Sequence, residues 1–159
     1  MTYEETITRS ISQRLTDEIS AATFYLEATR YIDDLEVIEE LKEHAKDEFR
    51  HFQELMDFAG AHDLDVSYAF DPEVVNFKGE TSKNYIEFIQ GLEQKAIDDY
   101  KEMCAYAKEH KDPEAMELFK KIMQEEMEHF DDISPKLQQK RPLLGETSFK
   151  RLFDLSIYS

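Results

Sequence analysis

Cysteine is almost absent from this sequence, and glycine and proline are scarce. A single cysteine, Cys104, among 159 residues excludes an internal disulfide and any zinc or iron site built from several cysteines of one chain. It also favours a reducing compartment. Four glycines and four prolines are few for this length, because turn-rich β folds use both residues often. The composition therefore predicts an all-α fold.

Positive charge is also in short supply. The chain has 19 Lys and Arg against 36 Asp and Glu, a formal charge of −17 that suits cations. Nucleic acids and anionic membranes are bound by clustered basic residues, so we expect neither as a partner. No apolar run approaches the roughly 18 residues that a membrane span needs, and the first ten residues, MTYEETITRS, contain no apolar signal segment. These features predict a cytoplasmic protein.

Helical spacing of apolar residues is the main signal along the chain. Four stretches show it, at about residues 5–31, 35–60, 82–109 and 113–134. The last stretch opens with Asp112, a suitable N-cap, and Pro113, a suitable first helical residue. Pro135 is expected to end or kink that helix. The pattern predicts four helices.

The second and third predicted helices are joined by a long connection, AHDLDVSYAFDPEVVNFKGET, that has no helical period. A connection of this length is expected where the chain crosses back to the opposite end of a four-helix bundle. Apolar residues return at helical spacing over about 146–157 and predict a short fifth helix. We therefore expect a single domain, 1–159, with the bundle over about 5–134.

Two Glu-x-x-His pairs occupy the second and fourth predicted helices. Glu48 and His51 lie in KDEFRHFQEL, and Glu126 and His129 lie in MQEEMEHFDD. The spacing alone is weak evidence in a chain so rich in acidic residues. Both pairs, however, continue the apolar stripe of their helix and so face the core. An ionised carboxylate there costs several kcal/mol unless it is paired or binds a cation.

The first and third predicted helices each carry one glutamate inside the apolar stripe. These are Glu18 and Glu93, and each is followed seven residues later by a tyrosine, Tyr25 or Tyr100. One such glutamate is more often a hydrogen-bonded core residue than a ligand. Four at matching depths, accompanied by two histidines, favour a metal site. The chain reads as two similar helical hairpins related by a pseudo-twofold axis.

Four carboxylates and two imidazoles are a complete ligand set for two divalent metals. Carboxylate oxygens with one imidazole per metal suit iron or manganese better than copper or structural zinc. We predict two iron ions per chain, with manganese as the alternative, and Glu48 and Glu126 as bridging ligands. His44, one turn before Glu48, is either an extra ligand or a core histidine. The six predicted ligands are Glu18, Glu48, His51, Glu93, Glu126 and His129.

These motifs resemble the ferritin superfamily, and bacterioferritin most closely within it. The resemblance covers about residues 5–133, and the six predicted ligands fall in the family's order and spacing. It implies a ferroxidase that oxidises Fe(II) with dioxygen or hydrogen peroxide, and a shell of 24 subunits that stores ferric mineral. It also implies that Tyr25 lies near the centre, and that Asp47 and Glu125 orient the histidine of the opposite helix. The repeated spacing suggests a supporting position beside the ligands for Tyr100.

Two features depart from the family pattern. Bacterioferritin binds haem through a methionine where this chain has Phe49, which has no ligand atom, so no haem is expected. His44 stands where the family usually has an acidic residue. The tail, LLGETSFKRLFDLSIYS, has three readings: a fifth helix that completes a shell, a docking segment for another protein such as an enclosing shell, or a cap on its own bundle.

Two other functions are compatible with the sequence. The same six ligands serve non-storage di-iron oxidoreductases of the rubrerythrin kind, which act on peroxide or a small substrate. A metal-free helical interaction module is the second alternative, and it would tolerate replacement of Glu93 by leucine.

Overall fold

The computed structural model describes residues 1–137 of the chain, and all regular secondary structure in that part is helical. Within the same residues, no helix combines the length and the apolarity needed to cross a membrane. The chain divides into two compact units, Met1–Tyr85 and Ile86–Ser159. The predicted fifth helix at about 146–157, and with it the three readings of the tail, lie outside the described residues.

Five helices make up the described part, and the main four match the predicted stretches within about three residues at each end. They are α1 (Tyr3–Ala28), α2 (Leu35–Ala61), the single turn α3 (Pro72–Val75), α4 (Ser82–Glu109) and α5 (Pro113–Leu137). A 3-10 turn, Thr29–Tyr31, follows α1. In the first unit, α1 and α2 pack against each other as a hairpin.

Side-chain caps define where these helices begin. Thr2 and Glu5 form a capping box at the start of α1, and Asp34 accepts the first backbone N–H groups of α2. Asp112 accepts the backbone N–H of Ala115 at 3.0 Å, as its position before Pro113 predicts. Each cap satisfies N–H groups that have no partner within their own helix.

Helix α5 differs from its prediction at the C-terminal end. It was expected to end or kink at Pro135, but Pro135 lies inside the helix, which is helical through Leu137, the last described residue. A proline has no backbone N–H, so it removes one hydrogen bond to the carbonyl four residues earlier. Just before the proline, the Ser134 hydroxyl donates to the Phe130 carbonyl at 2.6 Å. Helix α5 therefore accommodates a proline at position 135.

The crossover between α2 and α4 is held to α1 by a row of hydroxyl groups. Backbone N–H groups of alternate crossover residues donate to hydroxyl oxygens spaced four apart on α1. The pairs are Ser67 to Ser12 at 3.1 Å, Ala69 to Thr16 at 3.1 Å and Asp71 to Ser20 at 2.9 Å. This hydroxyl row provides hydrogen-bond acceptors for backbone N–H groups of an extended segment. The segment leads into α3, a helical turn that was not predicted because the connection has no helical spacing of apolar residues.

Removing the hydroxyl row should loosen the crossover. The double variant Ser12→Ala/Ser20→Ala is expected to lower the free energy of unfolding by about 1–3 kcal/mol, because each serine loses one hydrogen bond to the crossover backbone. Thr23→Ala is the control, since the Thr23 hydroxyl donates to carbonyls of its own helix and should cost less than about 0.5 kcal/mol. Urea unfolding of both variants measures the difference, and equal losses would contradict the role given to the row.

Cys104 is a core residue of the second unit, with 1% of its surface exposed. Its Sγ lies 3.8 Å from the Met116 carbonyl oxygen. Burial raises the pKa of the thiol to about 12, so the reactive thiolate is scarce at neutral pH.

Candidate metal centre

Three of the predicted ligands come together in the first unit. Glu18 on α1 and Glu48 and His51 on α2 are almost fully buried, with 0%, 2% and 0% of their surfaces exposed. The Nδ1 atom of His51 lies 3.5 Å from Glu18 Oε2 and 3.5 Å from Glu48 Oε2. One ligand atom from each residue lies within 4.8 Å of the others. We call these residues the first trio.

The other three predicted ligands come together in the second unit. Glu93 on α4 and Glu126 and His129 on α5 are also buried. The Nδ1 atom of His129 lies 3.7 Å from Glu93 Oε2 and 3.7 Å from Glu126 Oε2, and one ligand atom from each residue lies within 4.8 Å of the others. This second trio has the same composition and the same histidine-centred geometry as the first.

Burial of charge is costly in the second trio. Desolvation, and then the neighbouring Glu126 carboxylate, raise the pKa of Glu93 to about 8, and a hydrogen bond with His129 opposes the shift only in part. Glu93 therefore holds a proton at neutral pH when no cation is nearby. A divalent cation would replace that proton, which is the behaviour expected of a buried ligand carboxylate.

A buried arginine contacts the first trio, and the sequence analysis missed it. Arg14, with 4% of its side chain exposed, places Nη2 2.8 Å from Glu18 Oε1 and Nη1 3.1 Å from Asp17 Oδ2. The sequence does indicate this contact, because Arg14 lies one turn before Glu18 in the same apolar stripe. A basic residue in that stripe needs a buried acidic partner, and Glu18 provides it.

The two predicted tyrosines are buried in separate units. Tyr25 has 1% of its surface exposed and Tyr100 has 0%. The Tyr100 ring lies 6.4 Å from the Phe119 ring at a tilt of 38°. His44 is also buried, with 4% exposed, which either of its two predicted roles requires.

The remaining predicted residues lie nearer the surface. Asp47 pairs with Arg50 at 2.9 Å, with 38% of its side chain exposed, and Glu125 is half-buried. Phe49, which the bacterioferritin resemblance aligns with a haem ligand, is 48% exposed and stacks on Phe52 at 6.2 Å. The roles predicted for Asp47 and Glu125 as histidine supports stay predictions.

The donor set of each trio suits a hard or borderline divalent metal. Two carboxylates and one imidazole match the ligands that iron and manganese accept, and they lack the thiolates that select copper(I) or structural zinc. Two buried carboxylates also need positive charge nearby. The residues present therefore fit iron.

Comparison with known proteins identifies the family to which the chain is similar. Residues 9–141 match the family described as ferritin-like domain, and no curated protein matches the chain. Solved structures with a similar fold include BfrA from Mycobacterium tuberculosis, at 23% identity and a TM-score of 0.76, covering 84% of each chain. A ferritin-like, diiron-carboxylate protein from Bacillus anthracis is 16% identical with a TM-score of 0.76, covering 86% of this chain and 99% of that one.

A third similar structure is the dodecameric thioferritin from Bacteroides fragilis, a bacterioferritin-related protein. It is 20% identical with a TM-score of 0.73, over 95% of this chain and 90% of that one. Identities this low show the fold alone. They confirm the prediction of an all-α, ferritin-like four-helix bundle, and the family match confirms the resemblance found in the sequence. The chain belongs to the ferritin-like family of helical proteins.

Proposed function

We propose that the two trios together hold a pair of iron ions, and that the protein oxidises Fe(II) there and stores the ferric product inside a shell of many copies. The observation that carries the proposal is that each unit buries two glutamates and one histidine within 4.8 Å. Membership of the ferritin-like family supports joining the trios into one centre. The six ligands are Glu18, Glu48, His51, Glu93, Glu126 and His129.

Iron supplies the redox chemistry, since each Fe(II) gives one electron to dioxygen or hydrogen peroxide. The chain supplies a rigid, buried ligand set on helices rather than on loops, which keeps the geometry constant between turnovers. Four carboxylates offset the charge of two divalent ions. Tyr25, two turns beyond Glu18 on the same helix, is assigned an auxiliary catalytic role, and Tyr100, two turns beyond Glu93, is assigned a supporting position beside the ligands.

Storage requires assembly into a shell and a supply of Fe(II), and the acidic charge of the chain favours the supply. A formal charge of −17 attracts Fe(II) to a closed shell. The Bacteroides fragilis relative is described as dodecameric, and the bacterioferritin resemblance favours 24 copies here. We place the protein in the cytoplasm, where Fe(II) and reduced thiols are both stable.

Sedimentation velocity of the purified protein, with and without aerobic addition of Fe(II), tests this function. Storage predicts a particle of hundreds of kilodaltons that becomes much denser as iron is added. A dimer that oxidises Fe(II) without gaining mass would instead indicate the non-storage oxidoreductase. A particle that neither binds nor oxidises Fe(II) would leave only the helical interaction module.

A further inference from the structure

The internal repeat of the chain allows the surroundings of the two trios to be compared position by position. Glu18 and Glu93 occupy equivalent places on α1 and α4. Four residues before Glu18 is Arg14, whereas four residues before Glu93 is Ile89. Both are buried, with 4% and 0% exposed. The repeat therefore places a charged residue beside one trio and an apolar residue at the matching place beside the other.

Arg14 contacts a predicted metal ligand directly. Its guanidinium lies 2.8 Å from Glu18 Oε1, and Asp17 holds its other terminal nitrogen at 3.1 Å. Two carboxylates therefore hold the guanidinium in a defined orientation. Both carboxylates lie on the same helix as Arg14, within two turns of it.

A fixed positive charge next to a ligand affects metal binding in two ways. The guanidinium holds the Glu18 carboxylate in one orientation, which favours metal binding because less side-chain entropy is lost when the metal binds. It also repels a divalent ion bound to the same carboxylate, and that repulsion is strong in a buried, poorly solvated site. Arginine cannot relieve the repulsion by losing its proton at neutral pH.

We propose that Arg14 is a positioning residue that makes the two halves of the metal centre unequal, so that the second trio binds its metal first and the first trio binds more weakly. This inference depends on the proposed function, because it assumes that both trios are metal sites. The metal in the first trio is then the exchangeable one. Iron can leave that half for storage while the other half stays loaded.

Anaerobic titration of the metal-free protein with Co(II) or Zn(II) tests this inference without any redox turnover. We expect two metals per chain in two steps, with dissociation constants that differ by at least ~10-fold. His129→Ala should remove the tighter step and His51→Ala the weaker one. The reverse assignment would overturn the proposal.

Arg14→Met removes the charge but keeps a long side chain of similar reach, and Arg14→Lys keeps the charge. We expect Arg14→Met to tighten only the weaker step, which narrows the ratio of the two constants to less than ~3-fold, and Arg14→Lys to keep the two steps apart. A purely structural arginine would change stability and leave the ratio unchanged.

The outcomes separate the two proposals. Two equal steps in the wild type, or an unchanged ratio in Arg14→Met, would overturn the role of Arg14 and leave the di-iron centre intact. No uptake of Co(II) or Zn(II) by the wild type would overturn the proposed function itself.

Discussion

Replacement of Glu126 by alanine is expected to slow the initial oxidation of Fe(II) by about 100-fold or more. Glu126 is assigned as a bridging ligand, so its loss weakens both halves of the centre, and even the loss of a group that only supports a ligand can cost 10–100-fold. Stopped-flow absorbance after mixing Fe(II) with aerobic protein measures the rate. A wild-type initial rate in the variant would contradict the assignment of Glu126 as a ligand.

Glu128→Ala is the matched control for this measurement. Glu128 lies two residues further along α5 on an exposed position, so its replacement should leave the oxidation rate unchanged. Both variants should assemble like the wild type in sedimentation. Glu18→Ala is expected to slow oxidation equally, but it also removes a carboxylate that contacts Arg14 and so costs stability. Glu126→Ala is for that reason the cleaner test.

The metal-free protein is expected to lose stability as the pH rises from about 5 to about 8. The pKa of Glu93 is raised from 4.5 to about 8 by burial and by Glu126. Between these values the folded protein holds a proton that the unfolded chain releases, so each increase in pH favours unfolding. The stabilisation from protonated Glu93 is fully present below the pKa of this residue in the unfolded chain, and it is lost as the pH rises to about 8. Its size is on the order of a few kcal/mol.

Glu93→Gln should remove most of this pH dependence, because glutamine does not titrate. At pH 8 the metal-free variant should melt about 5–10 °C above the wild type, whereas Glu87→Gln, an exposed position on the same helix, should melt like the wild type. Thermal melts from pH 5 to pH 8 in the presence of a chelator give the comparison. Parallel curves for wild type and Glu93→Gln would show that Glu93 is ionised throughout.

The helices and the residues of the two trios were both predictable from the helical spacing of apolar residues. Apolar stripes at helical spacing gave the main helices, and a polar residue inside a stripe is informative because burial of its charge has to be compensated. Glu18 and Glu93 stood out in this way, and both are fully buried. Asp112 was predictable because capping depends on the local sequence alone.

The features that were missed depend on contacts between distant segments or on a weaker local signal. The hydroxyl row on α1 pairs with backbone N–H groups more than fifty residues away, and no periodicity reports such a partner. The helical turn α3 begins with Asp71 and Pro72, a capping signal that was hidden inside a long connection. Arg14 gives a weaker signal, because a long basic side chain in an apolar stripe can extend its charged end to solvent, whereas a short carboxylate cannot.

Anomalous diffraction from crystals soaked anaerobically in Fe(II), measured at the iron edge, tests the di-iron assignment most directly. Two peaks per chain are expected a few ångströms apart, one beside His51 and one beside His129, with the four glutamates around them. The peak beside His51 should have the lower occupancy at limiting iron. Peaks confined to exposed carboxylates, with none beside either histidine, would contradict the metal centre.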